Sequence, residues 1–270
     1  MNIAIDMMGG DFAPAEAVKG VQLFLSGQDA STPPDPSRSS VSPVPGLFLI
    51  GDEAQIHPLL VQHEIDAKSV SVVHAPEVIG MNEHPTKALK EKQQSSIAVG
   101  FQLLASGKTD AFISAGNTGA MLVGAVYSIK PLEGVLRPTI STIIPKDSGA
   151  PGLLLDVGLN ADCKPEHLNQ FALLGSMYSQ YISGIENPRV ALLNLGEEEG
   201  KGNLLAQAAY PLLKENKEIR FIGNIEGRDI LKDKADVMVC DGFTGNIILK
   251  MAESIYEITR SKSIQHDYLD

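Results

Sequence analysis

Short apolar segments alternate with helical patterns along nearly the whole chain, and this alternation constrains the fold more than any other feature of the sequence. Most of the segments are continuously apolar, which is typical of strands that are covered on both faces. An alternation of strand and helix predicts a three-layer α/β/α sandwich with a mostly parallel sheet. The segments that we interpret as strands are 2–6, 47–51, 71–74, 111–114, 139–145, 153–157, 190–196, 220–224 and 236–240.

Two of these segments form an exception to the parallel arrangement. Segments 139–145 and 153–157 are separated only by the turn 146–150, so they predict an antiparallel hairpin. Segment 29–46 is rich in Pro and Ser and has no apolar period, which predicts a mobile surface loop without a catalytic role. We expect the whole chain, 1–270, to form a single α/β domain.

The charge and the cysteines exclude several classes of protein. The chain has 270 residues and a formal net charge of −11, which argues against a nucleic-acid-binding protein because such proteins carry a basic surplus. Cys163 and Cys240 stand far apart, without CxxC spacing or companion histidines, so we interpret them as reduced thiols. The N-terminal segment is too acidic for a secretory signal, and no segment reaches the roughly 18 apolar residues of a membrane span. We therefore expect a soluble, cytoplasmic protein.

Polar residues and glycines collect after six of the predicted strands. In an open parallel sheet, ligands bind at the carboxyl ends of the strands, so these residues are expected to line one edge and to form an active cleft. They are Asp6, Gly9, Gly10 and Asp11; Ser114, Gly116, Asn117, Thr118 and Gly119; Asn160, Asp162, Lys164 and His167; Glu197, Glu198, Lys201, Gly202 and Asn203; Glu226 and Asp229; and Asp241, Thr244 and Asn246.

Two glycine-rich loops, "SAGNTG" (114–119) and "GFTGN" (242–246), repeat one design. One interpretation is a tight turn followed by a helix cap, with glycine or asparagine at positive φ. The other is an anion site made by backbone N–H groups at a helix N-terminus, with Asn and Thr side chains as further donors. Neither a Walker lysine nor a GxGxxG motif is present, so the anion would be inorganic phosphate or a phosphoryl group. We interpret the two loops as two walls of one such site.

Three charged features near these loops have two interpretations each. Lys164 is either a surface charge or paired ion, or a cation that binds phosphate or an oxyanion. His167 is either a structural residue on a helix face or a general acid/base. The acidic segment 196–203 either caps a helix dipole or ligates a metal. Since no histidine accompanies these acids, we expect no metal. Since neither nucleotide motif is present, we also expect no cofactor.

Several longer stretches of the chain occur in a fixed order. They are "IAIDMMGGDFAP", "LIGDE", "SSIAVGFQLL", "DAFISAGNTGAML", "RPTISTIIP", "LLLDVGLNADCKPEHLNQFALLG", "ALLNLGEEEGKGN", "FIGNIEGRDI" and "DVMVCDGFTGNIILKMAES". Together they resemble the PlsX-type phosphate acyltransferases. The resemblance runs from residue 1 to about residue 262, and the stretches at 153–175 and 235–253 are the specific ones.

The resemblance implies an enzyme that moves a fatty acyl group from acyl-[acyl carrier protein] to inorganic phosphate, giving acyl phosphate. A downstream glycerol-3-phosphate acyltransferase would use this product for the first acylation in bacterial phospholipid synthesis. The resemblance also implies a homodimer, with a core similar to the isocitrate/isopropylmalate dehydrogenase and phosphotransacetylase superfamily. In the family, a helical protrusion after the "GFTGN" loop is associated with dimerisation and with contact at the inner face of the membrane, and here 243–270 begins such a helix.

This reaction needs no serine or cysteine nucleophile, because phosphate dianion is itself nucleophilic. The protein must hold phosphate, place the thioester carbonyl and stabilise the tetrahedral oxyanion. We predict four catalytic residues, Lys164, Asn160, His167 and Asn246. The predicted substrate- and phosphate-binding residues are Asp6, Gly9, Gly10, Asp11, Ser114, Gly116, Asn117, Thr118, Gly119, Asn194, Asn203, Asp241, Gly242, Thr244 and Gly245.

Other functions stay open at this point. A coenzyme A-dependent phosphate acyltransferase or a dehydrogenase would share the fold, although a dehydrogenase needs metal-ligating aspartates and an arginine cluster. A scaffold of lipid synthesis that keeps the fold without turnover is the non-enzymatic alternative. The chain ends at "SKSIQHDYLD", several dozen residues before members of the family normally do, so we expect the sequence to be incomplete at its C-terminus.

Overall fold

The computed structural model describes residues 1–27 and 46–261. These residues form two compact units, unit 1 from Met1 to Pro131 and unit 2 from Leu132 onwards. The expectation of one domain over 1–270 stays a prediction. The Pro- and Ser-rich segment that was predicted as a mobile loop lies outside the described residues except for Gly46, which begins a strand.

Unit 1 is a parallel sheet with helices on both faces. Within 1–27 and 46–131, the sheet has four strands in the order β3-β2-β1-β4, and every neighbouring pair is parallel. The elements are β1 (Asn2–Asp6), α1 (Ala15–Ser26), β2 (Gly46–Gly51), α2 (Glu53–Gln62), β3 (Val70–His74), α3 (Pro85–Glu91), α4 (Ser96–Ala105), β4 (Ala111–Ile113) and α5 (Thr118–Ser128).

The side chains of β2 alternate between two cores and so hold a helical layer on each face of unit 1. Leu47 and Leu49 pack with buried side chains of α1 and α2. Phe48 and Ile50 belong to the opposite core, against which Val99 of α4 packs. Because both faces of the sheet are covered, its strands are apolar throughout, as the sequence indicates.

The described residues of unit 2 form five strands, in the order β5-β6-β9-β7-β8. β5 is antiparallel to β6, and the other neighbouring pairs are parallel. The elements are β5 (Ser141–Pro145), β6 (Pro151–Leu155), α6 (Pro165–Tyr181), β7 (Arg189–Asn194), α7 (Leu204–Glu215), β8 (Arg220–Glu226), a 3₁₀ turn (Gly227–Asp229), β9 (Val237–Val239) and α8 (Gly242–Ser261).

Two cores cover the two faces of the unit 2 sheet. On one face, Leu155 and Val239 pack with buried side chains of α6 and α7, among them Phe171. On the other face, Leu154 and Met238 belong to a second core, which α8 covers with partly buried side chains. Because β6, β7, β8 and β9 are parallel, their carboxyl ends share one edge of the sheet. The N-termini of α6, α7 and α8 follow from three of these ends.

The predicted fold class and the predicted hairpin are confirmed. Every predicted strand is present, and β5 pairs with β6 in the antiparallel sense. The strand predicted at 153–157 is in fact Pro151–Leu155, because pairing begins opposite Pro145 and ends opposite Ser141. The strands are divided between two sheets in two units, so the expectation that six strand ends line one edge stays a prediction.

An ion cluster with a buried lysine at its centre ties the hairpin to the rest of unit 2. Lys146, in the hairpin turn, is 2% exposed, and its Nζ lies 2.8 Å from Asp233 Oδ1 and 2.9 Å from Asp236 Oδ1. Arg189, the first residue of β7, pairs with the same two oxygens at 2.6 and 2.8 Å. Burial raises the pKa of Asp236, but hydrogen bonds from Arg189 and Lys146 outweigh it and hold this pKa well below the usual range.

Candidate functional site

Asp6 joins the two loops that follow β1 and β4 in unit 1. Its Oδ2 accepts a hydrogen bond from Ser114 Oγ at 2.6 Å, and its Oδ1 accepts one from the N–H of Met8 at 2.9 Å. The N–H of Gly116 donates to Ser114 Oγ at 2.9 Å. A Cβ on Gly9 would lie 2.6 Å from both Asp6 Oδ2 and the nitrogen of Gly116, so only glycine lets the loops approach. Four predicted site residues are therefore brought together here.

Gly10 and Asp11 continue the loop after β1. Gly10 has a φ of +94°, a conformation that favours glycine. Both residues line a pocket of about 350 Å³ to which Ser114 and Ala115 also contribute. They lie at the same strand ends as Asp6, as the sequence predicts.

Asn117 fixes the start of α5. Its Oδ1 accepts a hydrogen bond from the N–H of Ala120 at 3.0 Å. Its Nδ2 donates to the carbonyls of Gly80, Met81 and Glu83 at 3.0, 3.1 and 3.2 Å. The residue is 5% exposed, and both of its amide hydrogens are used within the protein. Asn117 therefore positions this loop as a helix cap.

Thr118 and Gly119 form the first turn of α5. Within the described part of the chain, neither of their N–H groups has a hydrogen-bond partner, and Thr118 is exposed. Free N–H groups at a helix N-terminus are suited to bind an anion. A Cβ on Gly119 would run into the ring of Pro85, and one on Gly116 would lie 3.1 Å from Ser114 Oγ. Larger residues at these glycines would therefore disturb packing as well as any ligand.

Asp156 is the centre of the corresponding site in unit 2, although it is absent from the predicted set. The residue is 0% exposed. Its carboxylate accepts hydrogen bonds at 2.6 to 2.9 Å from the N–H groups of Gly158, Leu159 and Asn160 and from Asn160 Nδ2. The sequence signal for this turn is an aspartate followed by glycine and asparagine after an apolar strand, in "LLLDVGLN".

Asn160 links this turn to two other segments. Its Nδ2 also donates to the carbonyl of Pro138 at 2.8 Å, and its own carbonyl accepts from the N–H of Gly242 at 2.8 Å. A Cβ on Gly242 would lie 2.8 to 2.9 Å from the Asn160 backbone, and one on Gly245 would run into the carbonyl of Asp156. The two glycines therefore let the start of α8 approach the turn. Since Asn160 Nδ2 donates to Pro138 and Asp156, this side chain holds the segments together.

Lys164 and His167 stand at the start of α6. The N–H of Lys164 donates to Nδ1 of His167 at 3.1 Å, so the proton of the neutral ring lies on Nε2. Burial lowers the pKa of His167 below its usual value, and the charges of Arg137 and Lys164 lower it further. The imidazole is therefore neutral at physiological pH. Lys164 itself is exposed.

Arg137 lies near Lys164, although it too is absent from the predicted set. Its Nη1 donates to the carbonyl of Asp162 at 3.4 Å. Neither cation forms an ion pair with any residue that the structure describes. The sequence contains a signal that could have identified Arg137 as a site residue. It begins "RPTIS" (137–141), which belongs to a stretch that carries the family resemblance. Two unpaired cations near one helix N-terminus suit an anionic substrate.

The start of α8 is capped by an acidic side chain. Asp241 accepts hydrogen bonds from the N–H of Thr244 at 2.8 Å and from its Oγ1 at 2.9 Å. Asn246 Nδ2 donates to the carbonyl of Val157 at 3.3 Å. Because a carboxylate already stands at this helix N-terminus, the second glycine loop favours phosphate less than the start of α6 does.

Four predicted residues of unit 2 line one pocket of about 340 Å³, namely Asn194, Asn203, Asp241 and Thr244. The rest of the lining is mainly apolar and comes from β7 and from α6, α7 and α8. Asn203 caps α7 by accepting from the N–H of Ala206 at 2.8 Å. The pocket therefore combines an apolar interior with a few polar groups, as small-molecule sites do.

The acids of "GEEEGKGN" (196–203) are ion-paired. The pairs are Glu197–Lys234 at 2.9 Å, Glu198–Lys201 at 3.9 Å and Glu199–Lys214 at 2.9 Å. The interpretation of these acids as caps of a helix dipole is wrong, because α7 begins at Leu204 with Asn203 as its cap and no acid in its first turn. Across residues 1–27 and 46–261, no group of three or more His, Cys, Asp or Glu side chains is placed to hold a metal ion.

The predicted residues thus form two groups, one at the strand ends of each unit. The first is built around Asp6 and the start of α5, and the second around Asp156 and the starts of α6 and α8. The interpretation of the two glycine loops as two walls of one site stays a prediction.

Comparison with known proteins identifies the family. The family model described as "Fatty acid synthesis protein" matches residues 1–266. The phosphate acyltransferase of Dictyoglomus turgidum is 46% identical over 257 residues, which cover 95% of this chain and 72% of the relative. That of Syntrophomonas wolfei is 44% identical over 255 residues, which cover 94% of this chain and 75% of the relative.

Solved structures share the fold. A phosphotransacetylase from Streptococcus pyogenes matches with a TM-score of 0.63 and 16% identity, over 94% of this chain and 82% of that one. The EutD phosphotransacetylase from Staphylococcus aureus matches with a TM-score of 0.61 and 19% identity, over the same shares. None of the helices in the described residues has the length and apolar character needed to cross a membrane. The resemblance read from the sequence is confirmed, and the chain belongs to the phosphate acyltransferases, a family of acyltransferase enzymes.

Proposed function

We propose that this protein transfers a fatty acyl group from acyl-[acyl carrier protein] to inorganic phosphate. The observation that carries the proposal is the pair of cations near the start of α6, Lys164 and Arg137, which have no carboxylate partner among the described residues. The turn from Asp156 to Asn160 begins and ends with buried residues, and its hydrogen bond to the carbonyl of Pro138 fixes the backbone next to Arg137. The names of the relatives supply the acceptor, phosphate.

In the proposed reaction, a phosphate oxygen attacks the carbonyl carbon of the thioester. The new C–O bond forms and the C–S bond breaks, so the carrier's sulfur leaves as a thiolate and takes up a proton. The protein's part is to hold phosphate beside the carbonyl and to stabilise the oxyanion of the tetrahedral intermediate. We assign the phosphate to Lys164 and Arg137. The Nε2–H of neutral His167 is the oxyanion donor in this proposal.

The proposed product is an acyl phosphate, a mixed anhydride that can pass its acyl group to an alcohol. A downstream glycerol-3-phosphate acyltransferase would consume it in the first acylation of phospholipid synthesis. The description of the matching family, fatty acid synthesis, supports this place in lipid metabolism.

The test incubates the protein with long-chain acyl-[acyl carrier protein] and inorganic phosphate and measures acyl phosphate by phosphorus NMR, together with the free thiol of the released carrier. We expect product formation to depend on phosphate and to need neither ATP nor NAD. Thioester loss that continues at the same rate without phosphate would contradict the proposal. Lack of any product from any thioester would favour the non-catalytic scaffold.

The choice of acyl donor separates the proposal from its nearest alternative. The solved structures that share the fold are named phosphotransacetylases, and a donor based on coenzyme A is the competing expectation. The same assay with acyl-coenzyme A of matched chain length measures kcat/KM for each donor. We expect the carrier-protein donor to have the higher kcat/KM, and the reverse order would replace the proposal with the coenzyme A-dependent activity.

We further propose that the protein is a homodimer that uses α8 as a contact surface. Phe243, Ile247, Met251 and Ile255 recur at every fourth position of this helix, and each is more than half exposed. An exposed apolar stripe of this kind supports either a helix–helix contact or a contact with a membrane surface. We propose the first as the main use and peripheral contact with the inner face of the membrane as the second.

A further inference from the structure

A crevice opens at the carboxyl ends of β7 and β9, which are neighbouring strands in the sheet of unit 2. β7 leads to α7 on one face of this sheet, whereas β9 leads to α8 on the other face. Ligands of open α/β sheets bind where neighbouring strands lead to opposite faces. The pocket of about 340 Å³ lies at this point, because Asn194 and Leu195 at the end of β7 and Asp241 just after β9 all line it.

The pocket adjoins the loop that carries Lys164, which belongs to the same unit. The carbonyl of Asn160 accepts a hydrogen bond from the N–H of Gly242 at 2.8 Å and one from Cys163 Sγ at 3.4 Å. Asp241, which lines the pocket, stands next to Gly242 in the chain. Lys164 stands next to Cys163. One carbonyl therefore joins the wall of the pocket to the loop to which the proposed function assigns phosphate.

Charge and hydrogen bonding in the pocket favour an uncharged, apolar occupant. Among the described residues of the lining there is no lysine, arginine or histidine, and the carboxylate of Asp241 repels a phosphate dianion. Both oxygens of this carboxylate already accept hydrogen bonds from Thr244, and the amide of Asn194 is bonded at both its oxygen and its nitrogen. The other walls are mainly aliphatic, with leucines from β7, α6 and α7 and with Ile248 from α8. Of the two substrates of the proposed reaction, the pocket therefore excludes phosphate and suits a hydrocarbon chain.

We propose that this pocket holds the hydrocarbon chain of the acyl donor and that its far end, at Gly227, sets the preference for chain length. The inference rests on the proposed function and names the subsite for the part of the donor that does not react. Asp241 follows β9 and Gly227 follows β8, and the strand order β9-β7-β8 separates them by two strand spacings, roughly 10 Å. A long chain that starts beside Asp241 reaches Gly227, and a short chain does not.

Gly227→Leu tests the far end of the pocket. A Cβ on Gly227 would meet no atom within 4 Å, so a larger side chain fits there without disturbing the fold. For long-chain donors, kcat/KM should fall by about fourfold for each methylene that the leucine displaces from the pocket. Donors with short chains should be affected little, and the KM for phosphate should not change. Gly200→Leu is the matched control and should keep the wild-type chain-length profile, because a Cβ on Gly200 also meets no atom within 4 Å and Gly200 does not line the pocket.

A second pair of variants tests the wall that β7 provides. Leu195 lines the pocket and is 71% exposed, so Leu195→Ala should lower kcat/KM for long-chain donors more than for short-chain donors without unfolding the protein. Leu204 is 86% exposed and is not part of the lining, so Leu204→Ala should leave the chain-length profile unchanged. An equal loss of kcat/KM at every chain length in Gly227→Leu and Leu195→Ala would indicate that the pocket holds the carrier's arm instead of the acyl chain, and would overturn the inference.

A binding measurement keeps this inference separate from the proposed function. N-dodecanoylethanolamine carries a long acyl chain on an amide, which does not transfer the chain to phosphate. In calorimetry, we expect this amide to bind Gly227→Leu at least about tenfold more weakly than the wild type or Gly200→Leu, because several methylenes lose their burial. This result would stand even if no donor gave acyl phosphate, in which case only the proposed function would fall. Equal binding of the amide to the wild type and to Gly227→Leu would overturn the inference and leave the proposed function standing.

Discussion

The exposed ammonium group of Lys164 and the guanidinium group of Arg137 come from segments that are separate in the sequence. The turn from Asp156 to Asn160 connects them, because Asn160 bonds to the carbonyl next to Arg137 and Lys164 follows shortly after the turn. Their charges act on the same buried ring, that of His167. At the scale of single residues, the proposed chemistry depends on Lys164, Arg137 and His167 together.

Removing the Lys164 charge should lower turnover while leaving the fold intact. Lys164→Ala is expected to lower kcat/KM by roughly 10²-fold, the scale of losing one oxyanion-type donor. Lys217 is an exposed lysine without an ion pair among the described residues, so Lys217→Ala is the matched control and should keep full activity. Near-normal activity of a folded Lys164→Ala protein would return Lys164 to the surface-charge interpretation.

Removing the Arg137 charge should raise both the KM for phosphate and the pKa of His167. The pKa should rise because the positive charge of Arg137 is one of the causes that lower it, after burial. Arg137→Lys should keep most of the effect on the pKa, since the charge remains. An NMR titration of the His167 ring checks the shift, and a phosphate series checks the KM. An unchanged pKa in Arg137→Ala would show that the two side chains do not interact.

Asn117→Ala should destabilise the protein and leave phosphate affinity in the folded fraction unchanged. The amide caps α5 and bonds to three carbonyls, so its removal should cost about 1–2 kcal/mol for the cap alone. A thermal melt and phosphate calorimetry on the same samples separate stability from binding. An unchanged melting temperature with weaker phosphate binding would restore Asn117 as a direct phosphate ligand.

At the scale of elements, the apolar segments determine the strands, and their order along the chain predicts the sandwich. A continuously apolar segment between helical patterns can be buried on both faces only in a covered sheet, which is why segments such as 190–196 correspond so closely to strands. The hydrogen-bond partners of individual polar side chains could not be predicted from the sequence. Asn117 and Asn160 bond to carbonyls that are distant in sequence, and nothing local to either residue indicates those partners.

Breaking the ion cluster under the β5–β6 hairpin should destabilise unit 2 strongly. Lys146→Ala removes the cation of the buried Lys146–Asp236 pair, and losing one partner of a buried pair costs about 3–5 kcal/mol. Lys214→Ala, which breaks the exposed pair with Glu199, is the control and should cost at most about 1 kcal/mol. Urea denaturation at neutral pH measures both. Equal effects would show that burial adds nothing to the cluster.

The same cluster should make stability depend on acid. The pKa values of Asp233 and Asp236 are lower in the folded protein than in the unfolded chain, where an aspartate titrates at about 3.9. Their contribution is therefore present above that value and is lost as the pH falls below it. In Lys146→Ala, the fall in stability from neutral pH to pH values below about 4 should be smaller than in the wild type.

At the scale of the whole molecule, the apolar stripe of α8 bears on assembly. Met251→Glu places a charge in its middle and should convert a dimer into a monomer in sedimentation velocity experiments. Glu253→Gln, a change of one charge unit at a neighbouring position of α8, should remain dimeric. If Met251→Glu stays dimeric but no longer floats with anionic lipid vesicles that bind the wild type, the stripe serves the membrane surface instead.

Asn160 also sets the order in which the candidate site can be completed during synthesis. The turn that holds Arg137 and Lys164 in place bonds to Gly242, a residue that leaves the ribosome long after the turn itself. A nascent chain that ends before α8 therefore lacks the backbone partner of Asn160 and the contact that the two glycines permit. Anion binding should then arise only once the start of α8 has been synthesised, so ribosome-bound chains that stop short of Gly242 should hold phosphate poorly.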